Sequence, residues 1–144
     1  VLSERELRAR YEISLERYIK DITVEARLTQ EIGRTLILPA VSQAQGSLAD
    51  TALKLRQLDL PVDTSTLAEV SRLTVSLQEE LNQLAEISRE AETHHACKAG
   101  HARYMREKVM PAMERVRELA DALEGLIDDT LWPLPTYQEL LFIR

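Results

Sequence analysis

The stretch LAEVSRLTVSLQEELNQLAEISREA, residues 67–91, decides the fold of this chain. Apolar and small residues recur in it and just beyond it every seven positions. They form two rows: Leu67, Thr74, Leu81, Ser88 and His95, and Val70, Leu77, Leu84 and Ala91. A seven-residue repeat kept for about four heptads puts both rows on one side of a helix, close to a coiled-coil seam. The stretch therefore predicts a long helix that packs against other helices.

This helix is predicted over residues 64–99. After a polar loop, Asp63, Thr64, Ser65 and Thr66 are all possible N-caps. Thr66 and Glu69 also fit a capping box, in which each side chain satisfies a backbone donor. Gly100 is the expected stop, because glycine adopts the left-handed C-cap conformation at little cost.

A second long helix is predicted before it, over residues 3–57. Ser3 and Glu6 fit a capping box at its start. Its apolar face keeps the helical period, with steps of three and four residues. That face consists of Leu7, Tyr11, Leu15, Tyr18, Ile22, Ala26, Thr29, Ile32 and Leu36. Pro39 lacks a backbone donor and crowds the preceding turn, so we expect a kink or a short break there.

The third helix is predicted over residues 101–131, followed by a tail of residues 132–144. A helical apolar face runs through the segment, and Trp132-Pro133-Leu134-Pro135 cannot continue it. The tail holds the only Trp and the only Phe of the chain. We expect such an apolar, aromatic tail to dock on other parts of the protein.

Together these elements predict an all-α fold and a single helical domain over residues 1–144. We expect an antiparallel bundle of three long helices, or four if the first breaks at Pro39, with a Pro/aromatic C-terminal tail. At ~1.5 Å per residue the first helix would span ~80 Å and the other two ~45–50 Å each. Part of the first helix would then lack a partner of matching length. An exposed apolar patch of that size usually marks an interface.

The composition limits the classes of partner. The net charge is −6, and the basic residues alternate with acidic ones, which disfavours a nucleic-acid partner. No apolar run approaches the ~18 residues of a membrane-spanning helix. Cys97 is the single cysteine, which suits a reducing, cytoplasmic location. No Gly-x-Gly phosphate loop and no Cys-x-x-Cys pair occurs, so the sequence offers no cofactor-binding or catalytic motif.

One cluster could bind a metal. His94, Cys97 and His101 have spacings of three and four residues, and zinc takes His and Cys ligands at such spacings. Against this, Gly100 is expected to end the helix before His101, and zinc signatures usually pair two ligand motifs across a loop. Ordinary polar residues at a helix end are the favoured interpretation.

Three stretches together resemble one family. They are Leu2-Ser3-Glu4-Arg5-Glu6-Leu7 with Tyr11 and Tyr18, then Ile37-Leu38-Pro39-Ala40, and then Val109-Met110-Pro111-Ala112 continuing to Leu131-Trp132-Pro133-Leu134-Pro135-Thr136-Tyr137. They resemble the C-terminal region of type III glutamine synthetases, the large bacterial form.

The resemblance implies that the chain is a fragment of a larger enzyme. That family joins ammonia to glutamate with ATP and Mg²⁺ or Mn²⁺, and its members assemble as dodecamers. The resemblance puts the catalytic residues upstream of Val1, so no catalytic residue is assigned here. The expected partners are an upstream catalytic domain and other subunits of a homo-oligomer.

The aromatic residues are the candidates for those contacts, although each could equally belong to the core. They are Tyr11, Tyr18, Trp132, Tyr137 and Phe142. The leading hypothesis is thus a non-catalytic helical domain of a glutamine synthetase that serves packing and assembly. A free-standing, coiled-coil-like interaction module is the alternative, and a metal-binding bundle is the third.

Overall fold

A computed structural model of the chain describes residues 3–93 and 97–135. In these residues helices are the regular secondary structure, as the all-α prediction requires. The helices are α1 (Glu4–Ile32), α2 (Leu38–Gln57), α3 (Ser65–Thr93), α4 (Lys98–Tyr104) and α5 (Met110–Glu124). One π-helical turn, Gly33–Ile37, joins α1 to α2, and another, Met105–Val109, joins α4 to α5. The backbone is therefore helical without interruption over residues 4–57 and 98–124.

Of the two outcomes predicted at Pro39, a kink or a short break, the break is wrong. The backbone stays helical through Pro39, and the distortion is the π-helical turn immediately before it. There the Leu38 N–H donates to the carbonyl of Gly33, five residues earlier. A proline ring crowds the carbonyl four residues before it, which here belongs to Thr35. A wider turn gives that carbonyl room, so the helix is distorted and continues.

The second π-helical turn has the same relation to a proline. The Met110 N–H donates to the carbonyl of Met105, and Pro111 follows directly. The chain therefore contains the same local arrangement twice, a π-helical turn that ends two residues before a proline. It occurs at Ile37-Leu38-Pro39-Ala40 and at Val109-Met110-Pro111-Ala112.

The first π-helical turn also changes which residues face the core. The predicted apolar face ended at Leu36, but Leu36 is exposed and Ile37 is buried instead. Gly33, Ile37 and Val41 are all buried and lie four residues apart. A π-helical turn contains one extra residue, so a four-residue spacing stays on one side of the helix there.

Helix α2 ends in a Schellman motif. The Leu60 N–H donates to the carbonyl of Leu55 at 3.0 Å, and the Asp59 N–H donates to that of Arg56 at 3.1 Å. Asp59 occupies the left-handed position of the motif, with φ of 55°. Glycine is the usual residue there, because it has no Cβ to clash.

Several predicted helix ends differ from the observed ones. The helix predicted over 64–99 does not reach residue 99, because Cys97 has an extended backbone. Gly100 does not stop a helix, since it lies inside α4. The Cys97 Sγ instead caps α4 by accepting a hydrogen bond from the Gly100 N–H at 3.3 Å. Cysteine is not among the residue types usually recognised as N-caps, so this cap could not be predicted from the sequence.

The predicted end of the third helix at residue 131 is also wrong, since α5 ends at Glu124. Asp128 organises the chain that follows: its carboxylate accepts from the Thr130 N–H at 2.8 Å, and its carbonyl accepts from the Leu131 N–H at 2.9 Å. This turn chemistry competes with helix continuation. It leads to Trp132, whose side chain is buried.

The described residues belong to two compact units. The first comprises residues 3–30, 80–93 and 97–116, and the second comprises residues 31–79 and 117–135. Buried in the first unit are Ile22, Ala26, Leu81, Leu84, Ala91, Ala102, Met105, Val109, Ala112 and Val116. Buried in the second are Ile37, Ala40, Val41, Ala44, Val70, Leu73, Leu77, Leu123, Ile127 and Trp132. The predicted row of Val70, Leu77, Leu84 and Ala91 is confirmed, because all four side chains are buried.

Candidate interaction surface

The first four turns of α1 carry an apolar surface that we call the N-terminal stripe, defined by Leu7, Tyr11 and Leu15. Leu7 and Tyr11 are 61 % and 58 % exposed, and Leu15 is half-buried. The same side of α1 continues to Ile22, which is only 4 % exposed. Exposure therefore rises steadily toward the beginning of the helix along one face. Unequal helix lengths predicted uncovered surface along this half of α1, and Leu7 and Tyr11 are indeed exposed, whereas Ile22 on the same predicted face is buried.

The capping box at the start of α1 holds these turns in helical form. The Ser3 N–H donates to Glu6 Oε2 at 2.8 Å, and the Glu6 N–H donates to Ser3 Oγ at 3.3 Å. This confirms the predicted cap. The Ser3 N–H and the Ser3 hydroxyl, the latter at 2.7 Å, both donate to the Glu6 carboxylate and lower the pKa of Glu6 below its usual value, because they favour the ionised form.

An ion pair between α1 and α4 borders the N-terminal stripe. Lys98 Nζ lies 2.5 Å from Glu16 Oε1 and 3.7 Å from Glu12 Oε2. The hydrogen bond from Lys98, together with its charge, lowers the pKa of Glu16. The same hydrogen bond raises the pKa of Lys98. The pair is exposed, so it fixes position more than it adds stability.

Beside this ion pair the first unit has a groove of about 520 Å³. Its lining combines the N-terminal stripe with the start of α4: Arg8, Tyr11, Glu12, Leu15, Cys97, Lys98 and Ala99. A groove with an apolar floor and charged edges suits a protein segment with an apolar side chain at its centre.

Polar contacts further along the first unit hold its helices together. Arg27 Nη2 lies 3.0 Å from Glu92 Oε1, and Gln30 Nε2 donates to Ser88 Oγ at 3.3 Å. The Tyr104 hydroxyl donates to Glu90 Oε2 at 2.8 Å. Burial, that hydrogen bond and the nearby carboxylate raise the pKa of Tyr104 to about 12.

Tyr18 is another predicted interface residue. Tyr18 is half-buried, and its hydroxyl donates to the Met110 Sδ at 3.3 Å. It therefore packs within its own unit while keeping part of its ring accessible. Trp132 is buried inside the second unit. Tyr137 and Phe142 lie outside the described residues, so their predicted contacts stay predictions.

The predicted metal ligands are placed only in part, because His94 lies outside the described residues. Cys97 is exposed and acts as the cap of α4. His101 lies within α4 and lines a cavity of about 40 Å³ together with Ser88, Glu92 and other residues. Among the described residues no group of three His, Cys, Asp or Glu side chains could hold a metal ion. The argument that Gly100 separates His101 from a helix is wrong, since both residues lie in α4.

The sequence placed Leu7 and Tyr11 on one apolar face and singled out Tyr11, but it missed the charged residues Arg8 and Lys98 that border that face. Leu7 is as exposed as Tyr11. Arg8 could have been found from its position next to Leu7. The role of Lys98 depends on how α4 packs against α1, which no local pattern contains.

Comparison with known proteins agrees with the resemblance. Residues 1–56 match the family described as the glutamine synthetase C-terminal domain. Over its whole length the chain is 30 % identical to a type-3 glutamine synthetase of Dictyostelium discoideum and 27 % identical to a glutamine synthetase of Bacteroides fragilis. Over 99 % of its length it is 26 % identical to a glutamine synthetase of Butyrivibrio fibrisolvens. It spans 20 % of the first relative and 21 % of each of the other two.

These matches define the class of protein: the chain is a C-terminal region of a glutamine synthetase. More particularly, along its whole length it corresponds to the C-terminal region of type III glutamine synthetases, as the sequence indicated. In the described residues no helix is both long enough and apolar enough to cross a membrane.

Proposed function

We propose that this chain is the structural, non-catalytic C-terminal region of a type III glutamine synthetase. In this proposal the remainder of the longer protein ligates ammonia to glutamate, using ATP and Mg²⁺ or Mn²⁺ in the cytoplasm. The helical region serves packing on the catalytic domain and assembly of a homo-oligomer. The relatives support it, because the chain covers about a fifth of their length.

The observation that carries the structural role is the N-terminal stripe. Leu7 and Tyr11 expose large apolar side chains on the face that is buried further along the same helix. Contiguous exposed apolar surface of this kind typically marks a protein contact. Tyr is also among the residue types that contribute most to such contacts, because it adds apolar area with little loss of side-chain entropy.

The predicted antiparallel packing of the helices is part of the proposal. Within the first unit, Arg27 of α1 pairs with Glu92 of α3, and Gln30 pairs with the earlier residue Ser88. Between these two contacts the residue number rises along α1 and falls along α3. They therefore support α1 and α3 running in opposite directions.

A truncation of the parent enzyme tests the role. We expect an enzyme that stops before Val1 to lose its assembled form in analytical ultracentrifugation and, with it, most of its glutamine formation. The full-length parent is the control. A truncated enzyme that assembles and forms glutamine normally would overturn the proposal. A parent gene that lacks a catalytic domain would instead favour the free-standing interaction module.

A further inference from the structure

The N-terminal stripe is an apolar surface on one side of α1, with charged residues beside it. Leu7 and Tyr11 form its apolar centre, and helical geometry places Arg8 and Arg10 on its two sides. Ile13 is 64 % exposed but lies on the opposite side of α1. The apolar surface is therefore directional, and the helix supplies its own matched control residue.

The stripe lies where the cover from the first unit ends. Lys98, the first residue of α4, contacts α1 at Glu16 and Glu12. Ile22 lies beyond that contact and is buried, whereas Leu7 and Tyr11 lie before it and are exposed. The side chains that need cover are thus in the turns nearest the start of this C-terminal region.

We infer that the N-terminal stripe is covered by an apolar segment from the preceding, catalytic part of the same polypeptide. This inference rests on the proposed function. The relatives contain about four times as much chain outside the matched region as inside it.

The occupant is assigned to the same polypeptide because of effective concentration. A segment of the same polypeptide stays covalently connected to α1, and such a connection, where it is short and flexible, gives a roughly millimolar effective concentration. Another subunit must reach the same surface at its much lower free concentration. The segment of the same polypeptide is therefore favoured over another subunit for binding to the stripe, where its geometry allows contact.

Site-resolved cysteine labelling in the full-length parent tests the inference. Tyr11→Cys and Ile13→Cys are made separately, with Leu7→Cys as a second probe of the stripe, all in a Cys97→Ser background that keeps a capping side chain. Each protein is labelled with a maleimide, and peptide mass spectrometry measures the labelling rate at the substituted position alone. Circular dichroism and glutamine formation establish that each variant is folded.

The expected result is labelling at the Tyr11→Cys and Leu7→Cys positions at least ~10-fold slower than at Ile13→Cys, because a covered site reacts only through local opening. This difference should persist when the oligomer is dissociated into folded subunits. Equal rates at the stripe and at Ile13→Cys would overturn the inference. Protection that disappears on dissociation would also overturn it, since the cover would then come from another subunit.

The two proposals can fail separately. If truncation abolishes assembly while the stripe labels as fast as the Ile13→Cys position, the structural role stands and the occupant is wrong. If truncation has no effect, the proposed function fails regardless of the labelling result.

Discussion

At the scale of single residues, several side chains hold the helix ends in place. Ser3 and Glu6 cap α1, Cys97 caps α4, and Asp59 sits in the left-handed turn that ends α2. The cap at Ser3 could be predicted because its spacing is characteristic. The other two could not, since cysteine is an unusual cap and aspartate an unusual residue at that turn. Thr66 lies inside α3 instead of capping it, and Glu69 pairs with Arg72.

Asp59→Gly is expected to stabilise the protein. Removing the Cβ relieves the left-handed strain, and the extra freedom of glycine in the unfolded chain offsets part of the gain. We expect the free energy of unfolding to rise by about 0.5–1 kcal/mol, measured by urea denaturation. Thr51→Gly, at an exposed position inside α2, should lower it. A loss of stability in Asp59→Gly would show that the carboxylate does more than occupy the turn.

The ion pair of Lys98 with Glu16 should make stability depend on pH at both ends. The pKa of folded Glu16 is lowered, so its contribution is complete above the ordinary value of 4.5 and is lost as pH falls through the lowered one. The pKa of folded Lys98 is raised, so its contribution is complete below 10.5 and is lost as pH rises through the raised one.

Lys98→Met should therefore flatten both limbs of the pH–stability profile. The measurement is the melting temperature across the pH range, with Lys108→Met, another exposed lysine, as the control. Profiles that have the same shape in both variants would mean that Lys98 and Glu16 do not stabilise α4 against α1.

At the scale of elements, the heptad rows predicted α3 and its buried side, because packing there follows the helical period without interruption. Val70, Leu77 and Leu84 are buried as predicted. The same reasoning failed where a π-helical turn changes the period. Proline was recognised as a perturbation, but a local rule does not say whether the helix breaks or widens; packing around Ile37 decides that.

Removing one residue from the first π-helical turn should be tolerated. Deleting Thr35 together with Pro39→Ala removes the one extra residue of the π-helical turn, so the helices before and after it keep their relative orientation. We expect unfolding within about 1 kcal/mol of Pro39→Ala alone, because the core face is kept.

The control deletes Glu25, an exposed residue in the regular part of α1, in the same Pro39→Ala background. A regular α-helix has no extra residue to remove, so this deletion rotates the turns before residue 25 by about 100° relative to the rest of the helix. Core side chains in those turns, such as Ile22, are then misplaced, which should cost about 3 kcal/mol or more. Equal losses from both deletions, measured by thermal unfolding, would contradict the interpretation of the π-helical turn as one extra residue.

At the scale of the whole molecule, a single continuous helix can contribute residues to both units. Helix α3 contributes residues 65–79 to the second unit and residues 80–93 to the first. Composition and periodicity predicted an all-α chain but not this division, because it depends on contacts between residues far apart in sequence. The N-terminal stripe was predictable in part, since an unmatched helix length points to uncovered surface.

A core substitution in the second unit should therefore weaken both units. Leu77→Ala removes a fully buried side chain, and we expect a loss of about 2–5 kcal/mol. Because α3 is continuous, hydrogen exchange should accelerate in the first unit as well as in the second. Val75→Ala, two residues away and exposed, should change stability by less than about 0.5 kcal/mol. Faster exchange confined to the second unit would show that the units unfold independently.

The burial of Trp132 gives the protein a built-in optical reporter. It is the only tryptophan of the chain, and it lies in the second unit, whereas Tyr11, Tyr18 and Tyr104 lie in the first. Tryptophan emission shifts when the indole moves from an apolar interior to water. Selective excitation of this indole would therefore follow the second unit with no label added.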